Sequence, residues 1–109
     1  MAYRYYPYSC ARIRNLLLKN FSDLEAKRHC LDTISHRKLG TDEETRRQTA
    51  EYLLWMMEKM QELVGNDANT VAKRGRWIGW AYRTIEVMGI VSNALVHEWS
   101  AADDDMGHI

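Results

Sequence analysis

The sequence predicts an all-α protein, a small helical bundle built on an antiparallel helical hairpin. Val71, Ile78, Ile85, Ser92 and Trp99 recur seven apart, with Ala81, Met88 and Leu95 at the intervening positions of the same face, which is helix periodicity and not strand alternation. Capping signatures and glycines then divide the chain into helix-sized pieces. A length of 109 residues suits one domain with its own core, and a single helical domain is expected over residues 1–101.

Near the N-terminus, Tyr3-Arg4-Tyr5-Tyr6-Pro7-Tyr8 places four tyrosines in six residues. Pro7 drives Tyr6 out of the helical region, and Ser9 offers an N-cap, so an extended segment is expected to lead into a helix at about 10–20. Ile13, Leu16 and Leu17 would form its buried face, joined by Cys10. Ser22-Asp23-Leu24-Glu25 has the pattern of a capping box, which predicts a second helix at about 22–39, closed by Gly40. Thr41 and Glu44 repeat the device, with acids where a helix dipole favours them, so a third helix is expected at about 42–64. Ala50, Leu53, Met57, Met60 and Val64 form its main stripe. Tyr52, Trp55, Met56 and Leu63 lie outside that stripe, and an arc so wide must be covered on more than one side.

Gly65-Asn66-Asp67 reads as a short connection, with Asn66 or Asp67 capping the next helix at about 68–88. So short a link implies an antiparallel hairpin. Gly89 is placed to end this helix and Ser92 to cap a last one at about 93–100, although the seven-residue stripe also allows one helix through to Trp99. Residues 102–109, with Asp103, Asp104 and Asp105, are expected to form a flexible acidic tail.

Fifteen basic and fifteen acidic residues cancel, which removes a global electrostatic case for nucleic acid or an anionic membrane. The charges are unevenly placed. Residues 1–20 carry Arg4, Arg12, Arg14 and Lys19 and no acid, whereas residues 90–109 carry Glu98, Asp103, Asp104 and Asp105 and no base. No apolar run is long enough to span a bilayer and no signal region precedes the first helix, so a cytoplasmic protein with free thiols at Cys10 and Cys30 is expected.

Catalytic signatures are missing: no phosphate-binding glycine loop, no Gly-x-Ser-x-Gly elbow, no Cys-x-x-Cys and no His-Glu-x-x-His. His29 and His36 share a helical spacing with Cys30 beside them, yet this matches no closed zinc site. Neither a metal nor a cofactor is therefore expected. Contact-forming residues are more evident. Tyr3, Tyr5, Tyr6, Tyr8, Trp77 and Trp80 are candidates for binding a partner, since such rings supply large rigid area with a polar tip. Arg12, Arg14, Lys73, Arg74 and Arg76 are candidates for contacting nucleic acid or an acidic partner. Gly75 and Gly79, one turn apart, expose backbone on one helix face, where close packing would offset their cost.

Arg76-Trp77-Ile78-Gly79-Trp80, followed by Gly-Ile-Val-Ser at residues 89–92, resembles the closing part of small helical-hairpin accessory proteins of bacteriophages and prophages. That resemblance, confined to residues 76–99, implies a non-enzymatic binder that inhibits or modulates a host complex, in the manner of anti-CRISPR proteins, in the cytoplasm of a bacterium. The alternatives are a small helical nucleic-acid-binding regulator and a small enzyme using Cys or His. The amount of apolar surface on the third and fourth helices also predicts a homodimer.

Overall fold

A computed structural model of the chain describes residues 3–29 and 42–105. Four helices form it: α1 (Pro7–Asn20), α2 (Glu43–Met60), α3 (Ala68–Val87) and α4 (Asn93–Asp105), with no strand among the described residues. The expected all-α class is the observed one. α1 packs chiefly on α4 and α2, and α2 on α3. Their shared core is built from Ile13, Leu17, Leu53, Met57, Met60, Ala81, Ile85 and Trp99, all buried.

The hairpin is formed by α2 and α3. Tyr52 meets Trp80 and Trp55 meets Trp77, so three residues forward on α2 is three residues back on α3, as antiparallel helices require. α2 buries Leu54 and Met56 besides its main stripe, whereas Tyr52, Trp55 and Leu63 stay half-buried, so its wide apolar arc is covered only in part. Its N-cap is Asp42, one residue later than the expected box; the carboxylate accepts from the Glu44 and Thr45 amides, and Thr41 lies outside the described residues. The helix also ends at Met60, short of Val64, which is 58% exposed. Gln61 follows as its C-cap. Its side-chain amide accepts from Tyr5 N at 2.7 Å and donates to Tyr5 O at 3.0 Å, which ties the end of α2 to the N-terminal segment.

α3 follows the sequence closely. Asp67 caps it, accepting from Thr70 N at 3.0 Å and Thr70 Oγ1 at 2.8 Å, and Gly89 turns the chain with a φ of 76°, in the left-handed region that favours glycine. Arg46 donates to the Met88 carbonyl at 2.7 Å, satisfying an acceptor that the helix end leaves free. Ser92 then caps α4, its Oγ accepting from Leu95 N. Val71 and Leu95 are more than a third exposed, so the seven-residue seam is buried only in its middle.

Three expectations are corrected. Residues 22–29 are not helical: Asp23 has a φ of 54°, Lys27 N donates to the Glu51 carbonyl, and Leu24 is buried. Arg47 donates to the Ser22 and Asp23 carbonyls, so this stretch lies as a strap along α2, and Ser22 caps nothing. The remainder of the expected second helix, with Cys30, His36 and Gly40, lies outside the described residues. Secondly, α1 begins at Pro7 and not at Cys10. Tyr6 precedes it in the left-handed region, with no side-chain cap of its own.

The third correction concerns the acidic tail. α4 continues to Asp105, and Asp103 is fully buried against the start of α1. Its carboxylate accepts from Tyr8 N at 2.8 Å and from Ser9 N at 3.2 Å, and also from the Ser9 hydroxyl. Because the Ser9 proton goes to the carboxylate, Tyr82 is the donor in its 2.6 Å hydrogen bond with Ser9 Oγ. Residues 106–109 lie outside the described residues.

The glycine pair is also used differently from what its spacing implies. A methyl group at Gly75 would come no closer than 3.9 Å to Tyr6 Oη, and one at Gly79 would meet nothing within 4 Å. Among the described residues no close backbone crossing occurs at either position.

Two outcomes are expected. Asp103→Ala should lower unfolding free energy by about 3 kcal/mol, because a part-buried amide, a buried amide and a buried hydroxyl lose a charged acceptor; denaturant melts read this, and an unchanged midpoint would place Asp103 outside the folded core. Gly79→Ala should raise stability by about 1 kcal/mol, the helix-propensity difference with no steric cost, whereas a lowered melting temperature would reveal close packing on that face.

Candidate protein-docking site

A shelf of aromatic rings spans the outer side of the α2–α3 hairpin. Helical spacing puts Tyr52, Trp55 and Met56 on neighbouring turns of α2, and antiparallel packing sets Trp77 and Trp80 of α3 beside them. Tyr52 stacks on Trp55 with ring centroids 5.6 Å apart and planes 10° from parallel. Trp80 meets Tyr52 edge-on at 5.6 Å, and Trp77 tilts against Trp55 at 6.1 Å. All four rings are half-buried. Tyr52, Met56, Arg76, Trp77 and Trp80 line an open depression of about 200 Å³.

Cations border the shelf. Arg28, from the strap, lies 5.7 Å from the Trp55 ring and Lys73 lies 5.6 Å from the Trp77 ring, while Arg76 is exposed at the depression itself. Each of these contacts places positive charge over the negative face of a ring. The result is a rigid aromatic surface with positive charge along its edge.

Of the residues singled out by sequence, Trp77, Trp80, Lys73 and Arg76 come together here. The tyrosines do not join them. Tyr3 and Tyr6 are buried, and burial pushes both hydroxyls up from their ordinary range; they anchor the N-terminal segment and are closed to a partner. Tyr5 and Tyr8 are half-buried against the core cluster. Arg74 is likewise withdrawn from any nucleic-acid role. It is buried, donates to the Leu63 and Gly65 carbonyls, and lies 3.9 Å from the Tyr5 ring centroid, so its charge holds the α2–α3 connection to the N-terminal segment. Arg12 and Arg14 are exposed on α1, on a separate face; Arg12 sits over the Tyr8 ring at 4.7 Å. Tyr52, Trp55 and Arg28 were not candidates from sequence. The signal for the two rings was the excess apolar arc of α2, while Arg28 reaches the shelf from the non-helical strap.

Reactive side chains are sparse. Cys10 is buried; desolvation, reinforced by the charge of Asp103, pushes its thiol up to about 12, so it stays protonated at neutral pH and lacks the thiolate a nucleophile needs. Burial also pushes Tyr82 up to about 12, with the charge of Asp103 adding to it against the opposing Ser9 hydrogen bond. His29 Nε2 lies 3.0 Å from Glu51 Oε1, and His97 is exposed. Among the described residues no three His, Cys, Asp or Glu side chains are grouped to hold a metal, and no helix is long and apolar enough to cross a membrane. His36 and His108 lie outside the described residues.

No protein-family model, curated protein or solved structure matches this chain.

The state of Cys10 is directly measurable. In a Cys30→Ser background, native protein at pH 8 should react with Ellman's reagent far more slowly than a free thiol, since only about one thiol in ten thousand is ionised at a pKa of about 12. Denaturant should release one thiol at once. Rapid stoichiometric reaction of the folded protein would contradict the assignment.

Proposed function

We propose that the chain is a non-enzymatic protein-binding module that docks its partner on the aromatic shelf. The observation that carries this reading is the set of four half-exposed rings with Arg76 among them. Trp, Tyr and Arg are the residue types that most often dominate binding energy at protein interfaces, and rings already stacked on one another lose little conformational freedom on binding. The positive edge formed by Arg28, Lys73 and Arg76 favours a partner with an acidic surface beside an apolar anchor. Trp77, Trp80 and Arg76 are also the residues through which the sequence resembles phage and prophage accessory proteins. On that basis the partner is a bacterial host protein or complex, such as a defence complex, and the chain its stoichiometric inhibitor or modulator in the host cytoplasm.

The same cations beside flat rings favour a second reading, binding of unpaired nucleic acid by stacking and phosphate contact. The two differ in salt dependence. Phosphate contacts lose affinity steeply as salt rises, whereas an interface anchored by buried rings does not.

Affinity capture from bacterial lysate at low and high salt tests the proposal. Wild-type protein should retain a stoichiometric protein partner at both, and Trp77→Ala or Trp80→Ala should weaken capture at least about tenfold, the consequence of losing more than about 1.4 kcal/mol at a hot spot, with melting temperature little changed. Capture that survives both substitutions would reject the shelf, and retention on heparin or single-stranded DNA that collapses with salt would favour the second reading.

A further inference from the structure

A groove of about 340 Å³ also lies between α1 and α4, lined by residues that the shelf does not use. Leu16, Leu95 and the edge of Trp99 supply its apolar lining, and Leu95 is 37% exposed. Arg12 and Lys19 stand on the α1 wall and Glu98 on the α4 wall. The walls therefore carry opposite charge. Among the described residues neither Arg12 nor Lys19 forms an ion pair with Glu98, the ion pairs there being His29 with Glu51 and Lys59 with Glu62. Arg12 is held in place by the Tyr8 ring and by a 3.0 Å hydrogen bond to the Tyr8 hydroxyl.

Ser9 is level with Asp103, and Leu16 lines the groove with Leu95, so α1 and α4 run antiparallel. Glu98 consequently lies, along the groove, between the levels of Arg12 and Lys19. Two copies related by a twofold axis lying along the groove would set α1 of each against α4 of the other, with Glu98 of one copy between the bases of the other. A twofold axis across the groove would instead oppose base to base and acid to acid.

We infer that the α1–α4 groove is the interface of a homodimer whose twofold axis runs along it, so that the occupant of the groove is a second copy of this chain. The pairing is self-complementary, as a twofold contact must be, and each Leu95 is covered by the facing groove. This face is separate from the α2–α3 shelf and leaves it free for another partner, so the inference stands or falls apart from the docking proposal.

Light scattering at micromolar concentration and low ionic strength tests it. Wild-type protein should have about twice the chain mass of 12.8 kDa. Glu98→Lys alone, and Arg12→Glu with Lys19→Glu, should each give the mass of one chain while keeping wild-type helicity by circular dichroism. Mixing these two variants should restore twice the mass, because both contacts of the mixed dimer then join opposite charges. A single-chain mass for the wild type, a dimer that persists in either variant, or a mixture that stays monomeric would each overturn the inference. Should a charge reversal fail to fold, Leu95→Asp reads the same interface, with a persistent dimer counting against it.

Discussion

A carboxylate near one end of the chain caps a helix near the other, and the rest of the architecture depends on that contact. α1 starts with Tyr6 in a left-handed conformation that costs a non-glycine residue about 1–2 kcal/mol. Pro7 has no amide hydrogen to satisfy, and Cys10 N already reaches the Tyr6 carbonyl at 2.9 Å. The amides of Tyr8 and Ser9 are left, and both donate to Asp103. A negative group at this position also meets the positive end of the helix dipole. Fixing α4 to α1 in this way closes the bundle and brings Tyr82 into hydrogen-bond reach of Ser9; α3 is thereby joined to the same junction.

Such a contact is invisible to local patterning. Three consecutive aspartates after a small-residue pair have the composition of a disordered tail, and nothing within several residues of Asp103 signals that its carboxylate belongs to an amide ninety-odd residues away. The same limit explains the strap. Ser22-Asp23-Leu24-Glu25 satisfies the local rule for a helix start, but Arg47 and the Glu51 carbonyl offer its backbone partners elsewhere, and tertiary hydrogen bonds outweigh a modest propensity. Features set by neighbours in sequence were legible: the α2–α3 hairpin, the bounds of α3, the turn at Gly89 and the cap at Ser92. Half of the shelf was legible too. Trp77 and Trp80 stand out by type, whereas Tyr52 and Trp55 became part of a surface only through the register of two antiparallel helices.

Burial sorts the conspicuous residues into two groups with different physical roles. Tyr3, Tyr6 and Arg74 lock the N-terminal segment onto the hairpin, with Gln61 bonding both polar groups of the Tyr5 backbone. Trp77, Trp80 and Arg76 remain at the surface in a preformed cluster. A rigid aromatic face held by a bundle is suited to recognition, because the ordering cost is met on folding and not on binding. The asymmetry of charge between the two ends of the chain has a dual outcome as well. One acid of the C-terminal region is consumed in capping α1, while Glu98 remains on the surface opposite the α1 bases.

Hydrogen exchange at the Tyr8 and Ser9 amides measures the junction most directly. If Asp103 holds them, both exchange only when the bundle opens, at rates close to those of the buried α2 and α3 amides, and Asp103→Asn speeds them while leaving the hairpin protected. Unprotected exchange at Tyr8 and Ser9 in the wild type, alongside a fully protected hairpin, would show that the two ends of the chain are not joined in this way.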